Sequence, residues 1–201
     1  MSQYDWSGVQ TLNSKKYICG YCGQSLSSEK GYFGNIQPHG LKLYIYVCHS
    51  CGKPTFFDST GKQTPGAIFG KEVGGVSDKT VANLYKEARQ CMSVNSFTST
   101  VLSCRKLLMH IAVDKGAKEG LRFIEYVEYL ASKNIIPNGA QDWVDIIREK
   151  GNEANHEITI MNENDAKSLI NFTEMLLKIV YEFPAEVEKI KNLQKADEDV
   201  A

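Results

Sequence analysis

Cys19 and Cys22, then Cys48 and Cys51, form two Cys-x-x-Cys pairs, each followed at once by glycine and separated by 25 residues. Two residues between cysteines let a tight turn aim both thiolates at one ion, and zinc takes four such ligands in a tetrahedron at about 2.3 Å. Gly20, Gly23 and Gly52 suit these turns, where the backbone must curl back toward the sulfurs. A thioredoxin-like redox pair needs only one Cys-x-x-Cys, at a strand-to-helix junction; here there are two, each placed after a strand. The spacing therefore predicts one structural Zn²⁺ held by Cys19, Cys22, Cys48 and Cys51. With all four positions filled by cysteine, no coordination site stays open for water, which argues against a catalytic metal. His39 and His49 are left over; His49 falls inside the second turn and is expected to point outward.

The second chemical signal lies near residue 150. At ~100° per residue, Arg148, Asn152 and His156 fall within about 80° of one another on a predicted helix, beside an apolar face with Val144, Ile147 and Ala154. Gly151 within that helix costs about 1 kcal/mol against alanine, which suggests close approach of another backbone, a ligand or a partner. Alternatively, Asn152 and His156 cap neighbouring loop and helix ends. A guanidinium and an imidazole together can cleave RNA without metal, the imidazole moving a proton from the 2′-hydroxyl and the guanidinium steadying charge on the phosphate. Arg105 and His110 form another Arg–His pair, but five steps of ~100° set them about 140° apart in an apolar helix. Arg105 is expected in a buried or interfacial ion pair and His110 at the core edge. The chain contains no Gly-x-Ser-x-Gly and no phosphate-binding loop.

Two kinds of scaffold must carry these residues. Residues 1–63 are rich in Gly, Tyr and Ser and hold short β-type runs: Tyr17-Ile18 before the first pair, LKLYIYV (residues 41–47) running into the second, and Thr55-Phe56-Phe57 after Pro54. Residues 64–77, with Pro65 and Gly66, Gly70, Gly74 and Gly75, read as a linker or strap that packs in part through Ile68, Phe69 and Val73. Residues 78–195 carry helix-period patterns, giving about five helices: from Asp78, from Ser96 to Lys115 before Gly116, over LRFIEYVEYLASK, over 140–156, and from Asn162 to Phe183. Leu169, Phe172, Leu176, Ile179 and Val180 give the last of these one apolar face, and Pro184 is expected to kink or break it before a short polar extension. Cys91 and Cys104 sit in apolar helical pattern as small buried hydrophobes. Residues 196–201 form an acidic tail expected to be disordered. The predicted fold class is α+β, a small β zinc ribbon followed by an all-α antiparallel bundle.

The chain has 201 residues, 23 Lys/Arg and 24 Asp/Glu, for a formal net charge of -1. That excludes a whole-protein basic field of the kind that dominates non-specific nucleic-acid affinity. Residues 1–77 hold seven Lys/Arg against four Asp/Glu, or +3, and the rest is -4, so any polyanion contact falls more naturally to the ribbon. Its aromatics interleave with lysines, a mixture that can stack bases, although Tyr44 and Tyr46 equally suit a small β core. No stretch approaches the ~20 apolar residues that span a bilayer, and the opening MSQYDWSGVQ lacks a basic n-region and an apolar h-region, so a cytoplasmic location and no membrane partner are expected.

The runs ARQCMSVNSFTSTVLSCRKLLMHIAVDKGA, LASKNIIP, IREKGNEANH and DAKSLINFTEMLLKIVYEFP, within residues 78–184, resemble the domain of unknown function 4145 family, related to the HEPN (higher eukaryotes and prokaryotes nucleotide-binding) superfamily. The resemblance implies a HEPN-like bundle, a frequent N-terminal zinc ribbon, a homodimer through the bundle, and a bacterial or phage setting, in some cases restriction or antiviral defence. Ribonucleases of the superfamily carry an Arg, usually then a polar residue, and a His four to six residues after the Arg. Asn152 and His156 match that motif, but its Arg position is Gly151 and Arg148 lies eight residues before the His. The expected function is therefore a non-catalytic binding module for nucleic acid, nucleotide or a partner protein. The alternatives are a metal-independent ribonuclease using His156 with Arg148 and Asn152, and a pure protein-interaction factor such as an inhibitor or accessory subunit.

Overall fold

A computed structural model describes residues 4–137, 139, 143 and 160–198, the side chains of 196–198 excepted. The chain is α+β. Five strands come first: β1 (Gln10–Ile18), β2 (Ser25–Ile36), β3 (Leu41–Val47), β4 (Pro54–Phe57) and β5 (Gln63–Thr64). The helices follow: α1 (Lys79–Ser93), α2 (Phe97–Asp114), α3 (Phe123–Ser132), α4 (Glu163–Leu177), a π turn (Lys178–Glu182) and α5 (Phe183–Glu198). Two compact units result. One comprises Met1–Phe69 with Arg89–Ser96, the other Gly70–Ala88 with Phe97–Ala201.

The first unit is an antiparallel meander in the order β1-β2-β3-β4-β5. In the β2–β3–β4 register Phe33 faces Tyr44, which faces Phe57, while Tyr32 faces Ile45, which faces Phe56. Because successive side chains alternate, these two rows lie on opposite faces of the sheet. Tyr17, Leu26, Tyr46 and Phe57 close over the first face with Cys19 and Cys48. Tyr17 and Tyr46 each meet Phe57 near edge-on, with centroids 5.4 and 5.7 Å away, the geometry that ring quadrupoles favour. Gly31 makes the close strand approach possible: a Cβ there would lie 1.8 Å from the Ile45 carbonyl oxygen. The last turn of α1 and the residues after it join this unit through Gly66, whose N–H donates to the Ser93 carbonyl at 2.6 Å, and Arg89, whose Nε donates to the Phe69 carbonyl at 3.2 Å.

The twelve-residue β2 and the short β5 go beyond the runs that β-propensity picks out. SLSSEKGYFGNI is poor in branched residues, and its pairing with β1 and β3, not local preference, makes it a strand.

In the second unit α2 packs against both α3 and α4. Leu107, Leu108 and Ile111 of α2, Leu130 of α3, and Phe172 and Leu176 of α4 are almost wholly buried. Helix ends carry their own signals. Asn162 accepts from the backbone of Asn164 and Asp165 while Asp165 takes the Asn162 N–H, a capping box that starts α4. Asn134 at φ 55 follows α3, and Gly116 at φ 97 follows α2. Residues 70–77 run along α4 and the π turn, with Lys71 N–H donating to Glu174 at 2.7 Å and Gly74 N–H to Glu182. Gly70 and Gly75 have positive φ, and a Cβ at Gly75 would lie 2.7 Å from the Tyr181 carbonyl, so the strap has no room for side chains there.

Of the expected kink or break at Pro184, the break does not occur: the helix runs on past it. Proline lacks an N–H and crowds the carbonyl four residues back; the preceding π turn, closed by Phe183 N–H to Lys178 O, widens the backbone where that clash would fall. The polar extension expected beyond Pro184 belongs to a sixteen-residue helix, Phe183–Glu198, that carries four exposed large apolar side chains. Among the described residues no helix is long and apolar enough to cross a membrane. The predicted helix over 140–156 lies outside the described residues.

Phe172→Ala should lower the unfolding free energy of the helical unit by ~3–5 kcal/mol in urea titrations followed by far-UV circular dichroism. Leu102→Ala, at a site 59% exposed, should shift it by less than about 0.5 kcal/mol.

Candidate metal centre

Each cysteine pair follows a strand and occupies the same backbone turn. β1 ends at Ile18, and Cys19 N–H then donates to the Gln24 carbonyl at 2.9 Å while Gly23 N–H returns to the Cys19 carbonyl at 2.9 Å. β3 ends at Val47, and Cys48 N–H donates to Lys53 at 3.0 Å while Gly52 N–H returns to Cys48 at 2.7 Å. Gly23 and Gly52 both have φ 71. The sequence thus builds one knuckle twice, and both turns require glycine at the residue after the second cysteine. Gly20 has a further reason: a Cβ there would lie 2.3 Å from the Gly66 carbonyl oxygen of the strap.

The two knuckles bring all four sulfurs within 4.8 Å of one another. Cys19 Sγ lies 3.7 Å from Cys51 Sγ, and Cys22 Sγ lies 3.8 Å from Cys48 Sγ. These are far beyond the ~2.05 Å of a disulfide. A tetrahedron with arms of about 2.3 Å has edges of about 3.8 Å, so these two separations match what four thiolates around one ion would require. The four cysteines can hold a metal ion. Cys19 and Cys48 are fully buried, and Cys22 is exposed at the rim. Burial, reinforced by the neighbouring sulfurs, pushes the Cys51 thiol up to about 12, and burial also raises Cys19; Cys22 is instead lowered, because hydrogen bonds from the Gln24 backbone and the other cysteines outweigh its own desolvation. Four sulfurs this close, two of them buried, cannot all carry charge unless a cation neutralises them.

Side chains outside the pairs hold the knuckles in place. Trp6 Nε1 donates to the Gly52 carbonyl at 2.7 Å and its ring lies 6.2 Å from Tyr32, tying the N-terminal segment to the second knuckle. Gln63 Nε2 donates to the Ile18 carbonyl at 2.8 Å and the Pro65 carbonyl at 2.9 Å, bridging the first knuckle to the strap. Neither has a spacing signature; a lone tryptophan in a polar N-terminal run is the only trace either leaves. His49 and His39 are both exposed, and neither belongs to the sulfur cluster.

Tyr46 is buried with its hydroxyl donating to the Asn13 carbonyl at 2.8 Å, and Tyr44 stacks on it at 6.0 Å, so both serve the small core. Phe33, on the same face but farther from the knuckles, is 52% exposed, with Asn35 and Lys42 paired beside it.

The other candidates are less concentrated. Arg148, Asn152 and His156 lie outside the described residues, as does Gly151. Arg105 is half-buried with its guanidinium 4.3 Å above the Phe123 ring, a cation–π contact, and desolvation lowers its pKa. His110 is exposed, 3.7 Å from Asp78, so the two residues engage different partners. Cys104 is buried and Cys91 half-buried. A cavity of about 360 Å³ opens beside α4 among Pro137, Trp143, Met175, Ile179 and Phe183, and among the described residues no imidazole or cysteine lines it.

Elemental analysis of purified protein should give one metal ion per chain. Cys48→Ala should abolish binding, whereas His49→Ala should leave the stoichiometry unchanged.

Residues 86–195, more than half of the chain, match the family model described as Domain of unknown function (DUF4145). No curated protein and no solved structure matches.

Proposed function

The chain belongs to the DUF4145 family, and from that premise we propose a non-catalytic binding protein whose ribbon is stapled by one structural Zn²⁺ and takes single-stranded nucleic acid on its open sheet face. The observation that carries the reading is the sulfur geometry, with edges of 3.7 and 3.8 Å between Cys19 and Cys51 and between Cys22 and Cys48. Four thiolates in that arrangement suit zinc and leave it no position for water, so the ion's role is to hold the fold.

The binding face is supported by placement and charge. Phe33 stands 52% exposed beside half-buried Tyr44, with Lys42 on the same face of β3, at the end of the sheet away from the knuckles. A base can stack on such a ring while a lysine meets the phosphate, and stacking tolerates any base. The +3 balance of residues 1–77 against the acidic remainder favours the ribbon for this contact. The bacterial or phage defence setting belongs to the same reading and rests on the family resemblance of residues 78–184.

Fluorescence anisotropy with a labelled single-stranded RNA at low salt should detect binding that weakens as salt rises. Phe33→Ala should weaken it about 5- to 150-fold, the ~1–3 kcal/mol that stacking on one base contributes. Phe56→Ala, on the opposite face, should leave it unchanged. Cleavage of that RNA in EDTA, lost in His156→Ala, would replace this reading with the metal-independent ribonuclease; no binding of RNA, DNA or nucleotide would favour a partner protein.

A further inference from the structure

Tyr17 is 6% exposed and Thr55 wholly buried, and among the described residues their hydroxyls are the buried side-chain polar atoms that make no hydrogen bond. Other buried hydroxyls are satisfied: those of Tyr46, Ser28, Thr100 and Thr173 each donate to a backbone carbonyl. A hydroxyl stripped of water without a partner is costly, so two orphans in one small core call for an acceptor. Both lie in the same place. Tyr17 shares a buried cluster with Cys19, Tyr46 and Cys48, Thr55 stands opposite Tyr46 in the β3–β4 register, and Thr55 acts on the Tyr17 hydroxyl without completing a hydrogen bond to it. Even turned toward each other, two hydroxyls make a single mutual bond and leave one proton for a third group.

The groups that surround them are sulfurs. Among these the charge acting most strongly on the Tyr17 hydroxyl is that of Cys48, with Cys19 and Cys51 behind it. Tyr21 N–H donates to Cys19 Sγ at 3.5 Å, and the backbone at Gln24 and Lys53 bonds Cys22 and Cys51; Cys48 is the fourth sulfur. Four thiolates around one divalent cation keep a net charge of about -2, and Cys19 and Cys48, at zero exposure, have no water to share it. We propose that Tyr17 and Thr55 are positioning residues of the metal centre, their hydroxyls turning to donate to its buried sulfurs, Cys48 first, when the ion is bound. The proposal rests on the reading of the four cysteines as a zinc site and names the groups beyond the ligands that tune it. Hydroxyl hydrogens rotate to suit an acceptor, and outer partners of this kind orient the ligands and stabilise their charged form.

Tyr17→Phe removes one oxygen and Thr55→Val replaces the other with a methyl group, so neither change opens a gap in the core. The full chain carrying both should still take up one Zn²⁺, but chelator competition should give it about 10- to 100-fold weaker affinity, the range for lost outer partners. Loaded with Co²⁺ instead, it should keep the spectrum of a four-sulfur tetrahedron with its sulfur-to-cobalt charge-transfer band moved to lower energy, because a thiolate that accepts no hydrogen bond yields its electron more readily. Hydroxyls that only support the fold would lower affinity and leave that band in place. Zinc affinity within about twofold of the parent chain, as for orphans that serve nothing, or an unmoved band, would overturn this proposal and leave the zinc reading standing. A parent chain that takes up no metal would overturn both together.

Discussion

Everything in the ribbon depends on bringing four sulfurs within 4.8 Å. Its apolar core is little more than Tyr17, Leu26, Tyr46 and Phe57, closed by the buried Cys19 and Cys48. A segment this small cannot order its backbone on such a core alone, since fixing each residue costs on the order of 1–2 kcal/mol. The cysteines make the deficit worse unless a cation binds them, because burial raises Cys19 and Cys51 while the other sulfurs crowd in. With an ion in place the same crowding becomes the strongest set of bonds in the unit. The remaining contacts act on the orientation of the knuckles: Trp6 fixes one and Gln63 the other, each through a backbone carbonyl that would otherwise seek water.

The helical unit solves a different problem. Its core closes around Leu107, Ile111, Phe172 and Leu176, each almost wholly buried. What it must accommodate is Pro184 in a helix that carries on for fourteen further residues. The π turn over Lys178–Glu182 meets that need, and by widening one turn it also changes the phase of the side chains that follow. Leu169, Phe172 and Leu176 face the core before the turn; Phe183, Val187 and Ile190 lie on solvent after it. The apolar period therefore runs through both halves of the helix while its target changes.

This is also where reading residues in order succeeds and fails. Cysteine spacing is a short-range code, so the knuckles were legible from Cys19 to Gly52. The periods of α1 to α4 and the stops at Gly116 and Asn134 are likewise local. β2 was not legible, because its serines, glutamate and glycines become a strand only when β1 and β3 flank them. The continuation past Pro184 was hidden by a rule that holds for a regular helix and lapses at a π turn. Trp6 and Gln63 were invisible because each acts on a carbonyl more than forty residues away. On the ribbon face, composition could not separate a stacking platform from a core; burial divides the aromatics, giving Tyr46 and Phe57 to the core and Phe33 to the surface.

Charge connects the two units to a single functional argument. On the proposed reading, a ribbon of modest positive balance beside an acidic remainder would be a weak ligand for a polyanion, and one exposed ring with one or two lysines would hold one or two nucleotides. Stacking on Phe33 would then have to supply what charge does not, so the ring, more than the lysines, would set the affinity.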